Sequence, residues 1–279
     1  MRVDSHQHYW EPVRGDYGWL RPDKGILYEN YLPARLEPLL RQYRMEYSIA
    51  VQAAPTVEET RYLLALSDMY PTIAGVVGWL DFESPSFGEQ LTELRRHPRF
   101  IGVRPMIQDL PADWLLREQV VGHMRLLEKE RFPIDLQLRP HLLESAVKLL
   151  EQVPGLHAVI DHIAKPVYGV SFQAWKDGVM RLADYPNMMC KLSGMVPEAE
   201  AVPWTVEAWK PYVETVLDAF GPERVMYGSD WPVCLLSANY GQVYESLAAL
   251  LPESWNEAER AGVWGGNAAR FYRLRIAAE

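Results

Sequence analysis

Short apolar runs recur along the chain, and most of them stop at a polar residue or a glycine. They predict strands at Arg2–Ser5, Tyr47–Val51, Thr72–Gly78, Phe100–Arg104, Ile134–Leu138, His157–Asp161, Met188–Leu192 and Val225–Gly228. Runs that are apolar nearly throughout suit parallel strands covered on both faces. Between them the apolar positions change to a helical period. Phe87, Leu91 and Leu94 share one helical face, as do Leu142, Ala146, Leu149 and Leu150. Phe172, Trp175, Val179 and Leu182 make another stripe, and Val206, Trp209, Val213, Val216 and Phe220 a further one. Thr56-Val57-Glu58-Glu59 reads as a capping box opening a helix that runs to Tyr70, and Ser254-Trp255-Asn256-Glu257 reads as a second box.

Alternation of strand and helix implies βαβ crossovers and a parallel sheet. Eight such cycles in 279 residues point to a single (β/α)8 TIM barrel, an architecture of about 250 residues. An open doubly wound sheet is the alternative. It would carry a Gly-rich phosphate loop after the first strand, and the sequence has none there. No linker or low-complexity tract interrupts the pattern, so residues 1–279 read as one domain. The segment Tyr9–Pro33 is rich in aromatic, Gly and Pro residues and is expected to fold over the barrel mouth.

Composition narrows the function classes. A hydrophobic share of 48% supports a large core, and 23% charged residues exclude long disordered tracts. A net charge of −9 argues against nucleic acid as a partner, although a local basic pocket is compatible with it. No apolar run approaches the roughly 18 residues of a membrane span. Two cysteines, Cys190 and Cys234, make neither a metal pair nor a disulfide framework, and reduced thiols in the cytoplasm are expected. The opening MRVDSHQHYW goes straight into a strand, which leaves no room for a secretory signal.

In a barrel, residues at strand C-terminal ends face the active site. The first strand delivers His6 and His8, whose period-2 spacing puts both imidazoles on one side, where they can share a metal ion. The sixth ends in Asp161-His162, followed by Lys165-Pro166; His162 can bind a metal or polarise a carbonyl. The eighth ends in Gly228-Ser229-Asp230-Trp231-Pro232, where Asp230 can act as a general base on water or cap the next helix. Arg104 and Lys191, from the fourth and seventh strands, can bind substrate hydroxyls, a carboxylate or a developing oxyanion, or pair with a carboxylate. Gln52 and Trp79 are lesser substrate-binding candidates, and Trp79 and Trp231 can stack on a sugar ring or fill core.

Taken together, Asp4-Ser5-His6-Gln7-His8, Asp161-His162 with Lys165-Pro166, Lys191-Leu192-Ser193-Gly194 and Gly228-Ser229-Asp230-Trp231-Pro232 resemble the amidohydrolase-related family. The resemblance is closest to its sugar-lactonase branch, the L-fuconolactonase and L-rhamnonolactonase type, and runs from Arg2 to about Leu274. It implies a (β/α)8 barrel that hydrolyses the C–O bond of a small sugar lactone to give the aldonic acid. Asp230 would activate water, with His6, His8 and His162 as its catalytic partners. Arg104 stands where binuclear members carry a bridging lysine, and no histidine ends the fifth strand, His141 coming too late. The resemblance therefore implies one divalent ion, zinc first, on His6, His8 and Asp230, or a metal-independent reaction; both stay open. The alternatives are a metal-dependent decarboxylase of a small aromatic or unsaturated acid, and a non-catalytic sugar-binding protein.

Overall fold

The structure, a computed structural model, describes residues 1–168, 171–195 and 205–275. Its strands are β1 (Val3–Gln7), β2 (Tyr47–Val51), β3 (Ile73–Gly78), β4 (Phe100–Val103), β5 (Ile134–Leu136), β6 (Ala158–Ile160), β7 (Met188–Leu192) and β8 (Val225–Tyr227). They form one sheet in sequential order, each strand parallel to the next. Helices fill the crossovers: α1 (Pro33–Gln42), α2 (Val57–Met69), α3 (Phe87–Leu94), α4 (Glu118–Glu130), α5 (Leu143–Gln152), α6 (Phe172–Ala183) and α7 (Val206–Phe220). After β8 come α8 (Tyr240–Leu250), α9 (Glu257–Ala261) and α10 (Asn267–Tyr272).

The two edges of the sheet meet. The Asp230 N–H donates to the His6 carbonyl and the His8 N–H to the Trp231 carbonyl, each at 2.8 Å. Gln7 bridges Trp231 in parallel register. The fold is a (β/α)8 barrel, as the alternating pattern predicts.

Apolar side chains make two shells. Between strands and helices lie the predicted stripes, with Phe87, Leu91, Leu149, Val179 and Val213 all buried. Inside the barrel, Val3, Ile49, Val77, Ile101, Val159, Met189 and Met226 fill the lower half, and Phe271 and Tyr272 of α10 close it from beneath. His157, at the start of β6, stacks on Phe271 with ring centroids 4.1 Å apart, which is a packing role.

Two helix starts differ from expectation. Thr56 does cap α2, accepting from Glu59 N at 3.1 Å, but the Glu59 carboxylate does not reach back. It accepts instead from Ala53 N at 2.9 Å and Ala54 N at 3.0 Å, which pins the loop after β2. Ser254 is not the cap of α9. The box sits two residues later, where Asn256 accepts from Ala258 and Glu259 and the Glu259 side chain accepts from Asn256 N at 2.8 Å. Asn is at least as good a cap as Ser, and here it has the glutamate three residues on.

The first long loop covers the mouth as its composition predicts. Trp10 and Tyr31 exchange backbone hydrogen bonds at 2.9 Å, and Trp10 Nε1 donates to the Leu27 carbonyl at 3.1 Å. Trp19 Nε1 donates to the Ala53 carbonyl at 2.7 Å, fastening the loop to the end of β2. In urea denaturation, Asn256→Ala should lose about 1 kcal/mol of stability, while Ser254→Ala should stay within about 0.5 kcal/mol of the parent.

Candidate active site

The predicted catalytic residues converge at the top of the barrel. His6 Nε2 and His8 Nε2 lie 3.3 Å apart. Asp230 Oδ1 lies 3.4 Å from His8 Nε2, 3.8 Å from His6 Nε2 and 3.9 Å from His162 Nε2. Glycines make the approach feasible. A Cβ on Gly228 would come 2.6 Å from the His6 Cβ, and one on Gly194 would come 2.6 Å from the His162 ring. Asp230 adopts φ 56°, which turns its carboxylate back across the seam. His162, Ile163, Ala164 and Lys165 follow β6 with φ of 55°, 48°, 61° and 43°. Left-handed geometry costs about 1–3 kcal/mol per non-glycine residue, most at a β-branched one such as Ile163. That turn aims His162 inward.

Hydrogen bonds fix the rings. His8 Nδ1 lies 2.7 Å from the Val51 carbonyl, which can only accept, so Nδ1 carries the proton and Nε2 presents its lone pair to the cluster. His162 Nδ1 pairs with Ser193 Oγ at 2.9 Å. Burial lowers the pKa of all three imidazoles, which are therefore neutral at neutral pH. Burial works against the charge on Asp230 too, but His162, His8 and Lys165 outweigh it and hold the carboxyl below its ordinary value. The result is one carboxylate facing three neutral imidazoles.

Beneath this layer lies a buried charge network. Asp161 takes Arg104 Nη1 at 3.2 Å, Lys191 Nζ at 3.2 Å and His6 Nδ1 at 3.2 Å. Lys191 also pairs with Asp135 and lies 3.1 Å from His6 Nδ1. Asp135 Oδ1 accepts from the Tyr272 hydroxyl at 2.7 Å. Lys191, His6 and Arg104 hold Asp161 well below the carboxylate range despite its burial, whereas burial raises Asp135 to about 6 against the pull of Lys191.

Several candidates fall elsewhere than the sequence suggests. Lys191 is fully buried under His6 and pairs with carboxylates. Gln52 receives Arg104 at its side-chain oxygen, at 2.8 Å, and at its carbonyl, so it holds that guanidinium in place. Trp79 bonds Thr60 through its backbone and lines a separate cleft with Pro55 and Asp81. Trp231 is buried against the rings of Tyr31 and Tyr9, at 5.1 and 6.3 Å. Arg104 does reach the cavity, together with His8, His162 and Asp230. That cavity has a volume of about 330 Å³. Trp19, from the first loop, lines it too. Sequence reasoning missed Trp19 and gave no site role to Asp161, Asp135 and Asp4. Asp4 takes Ser229 N at 2.9 Å and the Tyr240 hydroxyl at 3.1 Å, tying β1 to the loop after β8. For the three aspartates the available signal was a carboxylate within an apolar strand, at Asp4 and Asp135, or directly after one, at Asp161.

His6, His8 and Asp230 also suit a metal. Ligand atoms on a tetrahedral zinc, with bonds of about 2.0–2.1 Å, lie about 3.3–3.4 Å from one another. The separations here are 3.3, 3.4 and 3.8 Å. Imidazole nitrogens with a carboxylate oxygen are a zinc-type donor set. His6, Asp161 and His162 form a second cluster, but Arg104 and Lys191 already neutralise Asp161 and would repel a cation.

Fold and site together define a barrel hydrolase of the amidohydrolase type. The amidohydrolase family model matches residues 3–274, and the chain belongs to that family. The chain is 36% identical over 285 residues to the L-fucono-1,5-lactonase of Burkholderia ambifaria, covering 98% of this chain and 96% of that protein. It is 26% identical over 199 residues to the L-rhamnono-gamma-lactonase of Scheffersomyces stipitis, covering 62% of this chain and 59% of that protein. Among solved structures, an amidohydrolase from Burkholderia multivorans with bound zinc superimposes with a TM-score of 0.92 at 33% identity, over 99% of this chain and 100% of that one.

Replacing Lys191 by Met should strand Asp135 and Asp161 in the barrel interior. A loss of about 3–5 kcal/mol is expected, read as a melting temperature lower by roughly 10 °C or more. An unchanged melting temperature would show that the buried carboxylates do not depend on this ammonium.

Proposed function

We propose that the protein is a lactonase that opens a sugar-acid lactone, of the L-fucono- or L-rhamnono-lactone type, to the aldonic acid, and that residues 1–279 work as one domain. The observation that carries this reading is Asp230, a carboxylate kept ionised on the floor of the mouth cavity beside three neutral imidazoles. The cavity, of about 330 Å³, is the size of a small-ligand site. Gln137 lines it, and its buried Oε1 finds no hydrogen-bond partner among the described residues. Buried acceptors are normally satisfied, and a ring hydroxyl would satisfy this one. Likeness to the L-fucono-1,5-lactonase of Burkholderia ambifaria supports the substrate class.

The chemistry follows from the groups present. Asp230 takes a proton from water as that water attacks the lactone carbonyl carbon. The acyl C–O bond then breaks, and the ring oxygen leaves with its electron pair and receives the proton from Asp230. Arg104, held by Asp161 and Gln52, offers a fixed positive edge for a substrate oxygen. Trp19 offers a ring face. A zinc ion held by His6, His8 and Asp230 would, when bound, polarise the carbonyl and acidify the attacking water. Through its Oδ1, Asp230 would serve the metal, leaving Oδ2 for the proton.

A pH-indicator assay across aldonolactones, with and without chelator, tests the reading. Wild type should acidify the medium on at least one such lactone. Asp230→Asn should lose about 10³-fold in kcat with a much smaller change in KM. Near-normal turnover by Asp230→Asn would refute the assignment of the base. Carbon dioxide release from a small aromatic acid, with no lactone opened, would favour a decarboxylase instead.

A further inference from the structure

Gln137 directly follows β5, where the Leu138 N–H returns to the Leu136 carbonyl at 2.9 Å in a γ-turn centred on it. The turn ends the strand and sets the Gln137 amide in the wall of the mouth cavity, only 5% exposed. An amide oxygen placed so deeply normally has a donor, and among the described residues Oε1 has none. Beside it, from the end of β4, comes Arg104, anchored from behind by Asp161 and Gln52 and still reaching the cavity. A guanidinium only donates, and an amide oxygen only accepts. This wall therefore joins a donor-only group to an acceptor-only atom. Hydroxyls suit that pair, since each has an oxygen to accept and a proton to give. A methylene offers neither, and a carboxylate has no proton for Oε1.

Strands β1 to β8 follow one another around the closed barrel, so β5 stands across the mouth from the seam of β8 and β1. Asp230 sits at that seam. A lactone whose carbonyl carbon meets water at Asp230 presents the opposite half of its ring to Gln137. In a 1,5-lactone that half carries the substituents of carbons 3 and 4. We propose that Gln137 is a specificity-determining residue, whose Oε1 accepts a hydrogen bond from a hydroxyl on carbon 3 or 4 and so selects hydroxylated lactones over deoxygenated ones. The inference rests on the lactone reading of the site and deepens it. A ring that lacks the hydroxyl shuts out water and leaves Oε1 buried without a donor, which is how a polar pocket rejects a deoxygenated analogue. Gln137 takes no part in bond making or breaking.

The test uses the full chain with L-fucono-1,5-lactone, its 2-deoxy analogue and δ-valerolactone, a six-membered lactone with no hydroxyl. In Gln137→Met, the ratio of kcat/KM on L-fucono-1,5-lactone to that on δ-valerolactone should fall about 10- to 100-fold. Part of the fall should be a gain of about threefold on δ-valerolactone, because the unpaired oxygen is gone. The 2-deoxy lactone should lose as much as its parent. The ligand-free variant should melt no lower than wild type. Gln137→Leu repeats the measurements if the methionine variant does not fold. Each of three results would overturn the proposal: an equal loss on the hydroxylated and the hydroxyl-free lactone, which a merely structural residue would give; a loss that disappears with the 2-deoxy lactone; or an unchanged ratio. If wild type opens no aldonolactone, the lactone reading itself fails, and this inference falls with it. If wild type is active and the variant keeps its ratio, only the inference falls.

Discussion

The barrel closes through two short hydrogen bonds, from Asp230 N to the His6 carbonyl and from His8 N to the Trp231 carbonyl. The residues that make this seam are the ones whose side chains build the site. Joining the first strand to the last therefore does two things at once. It completes the sheet, and it brings His6 and His8 against Asp230. Asp4 strengthens the joint from the outer side, taking the Ser229 N–H and the Tyr240 hydroxyl. A carboxylate buried this deeply needs such donors, and it finds them only when the barrel is shut. The seam thus couples folding to site assembly without any residue reserved for that purpose.

Below the seam, the barrel interior is stratified by polarity. Val3, Ile49, Met189 and Met226 form an apolar base. Above them Lys191, Asp135, Asp161 and Arg104 make a paired ionic layer, and above that come the neutral imidazoles and Asp230. Buried ion pairs contribute little net stability, because desolvation offsets their attraction. Their value here is positional. Lys191 and Asp161 both touch His6 Nδ1, so the ring has no freedom to turn away from the cavity. The ionic layer is a rigid floor on which a neutral, lone-pair-bearing cluster can stand.

Much of this arrangement could be read from the sequence, and the limits have physical causes. Strand positions were legible because buried parallel strands are short apolar runs with clear ends. His6, His8, His162 and Asp230 were legible as candidates because they stand at those ends, where a barrel opens its mouth. Depth was not legible. Lys191 lies in β7 on the inward face, but nothing local says whether a long side chain meets substrate or a carboxylate from another strand; the answer was Asp135, on β5. Trp79 and Trp231 were equally ambiguous, since an aromatic side chain stacks on a ligand or on a neighbour by the same forces. Trp19 lies in an irregular loop, where periodicity carries no information about direction. The misplaced cap at Ser254 came from two overlapping polar patterns, between which only the hydrogen bonds decide.

The places where the chain departs from ordinary backbone geometry deepen this picture. Asp230 and the run His162–Lys165 are left-handed without glycine, and both flank the cavity. Left alone, such segments would relax toward extended or right-handed conformations. They are held by what surrounds them: the seam hydrogen bond on Asp230 N, and the Gly194 backbone pressed against the His162 ring. The glycines at 194 and 228 have the opposite function, removing a Cβ where a histidine must pass. Local preference is thus overruled at the strand ends that carry His162 and Asp230, and it is respected along the strands and helices behind them. Other left-handed residues, Arg131, Ser171 and Arg273, merely end or begin helices, whereas at His162–Lys165 and Asp230 the backbone is shaped by the cavity, because packing alone would favour a relaxed turn at either position.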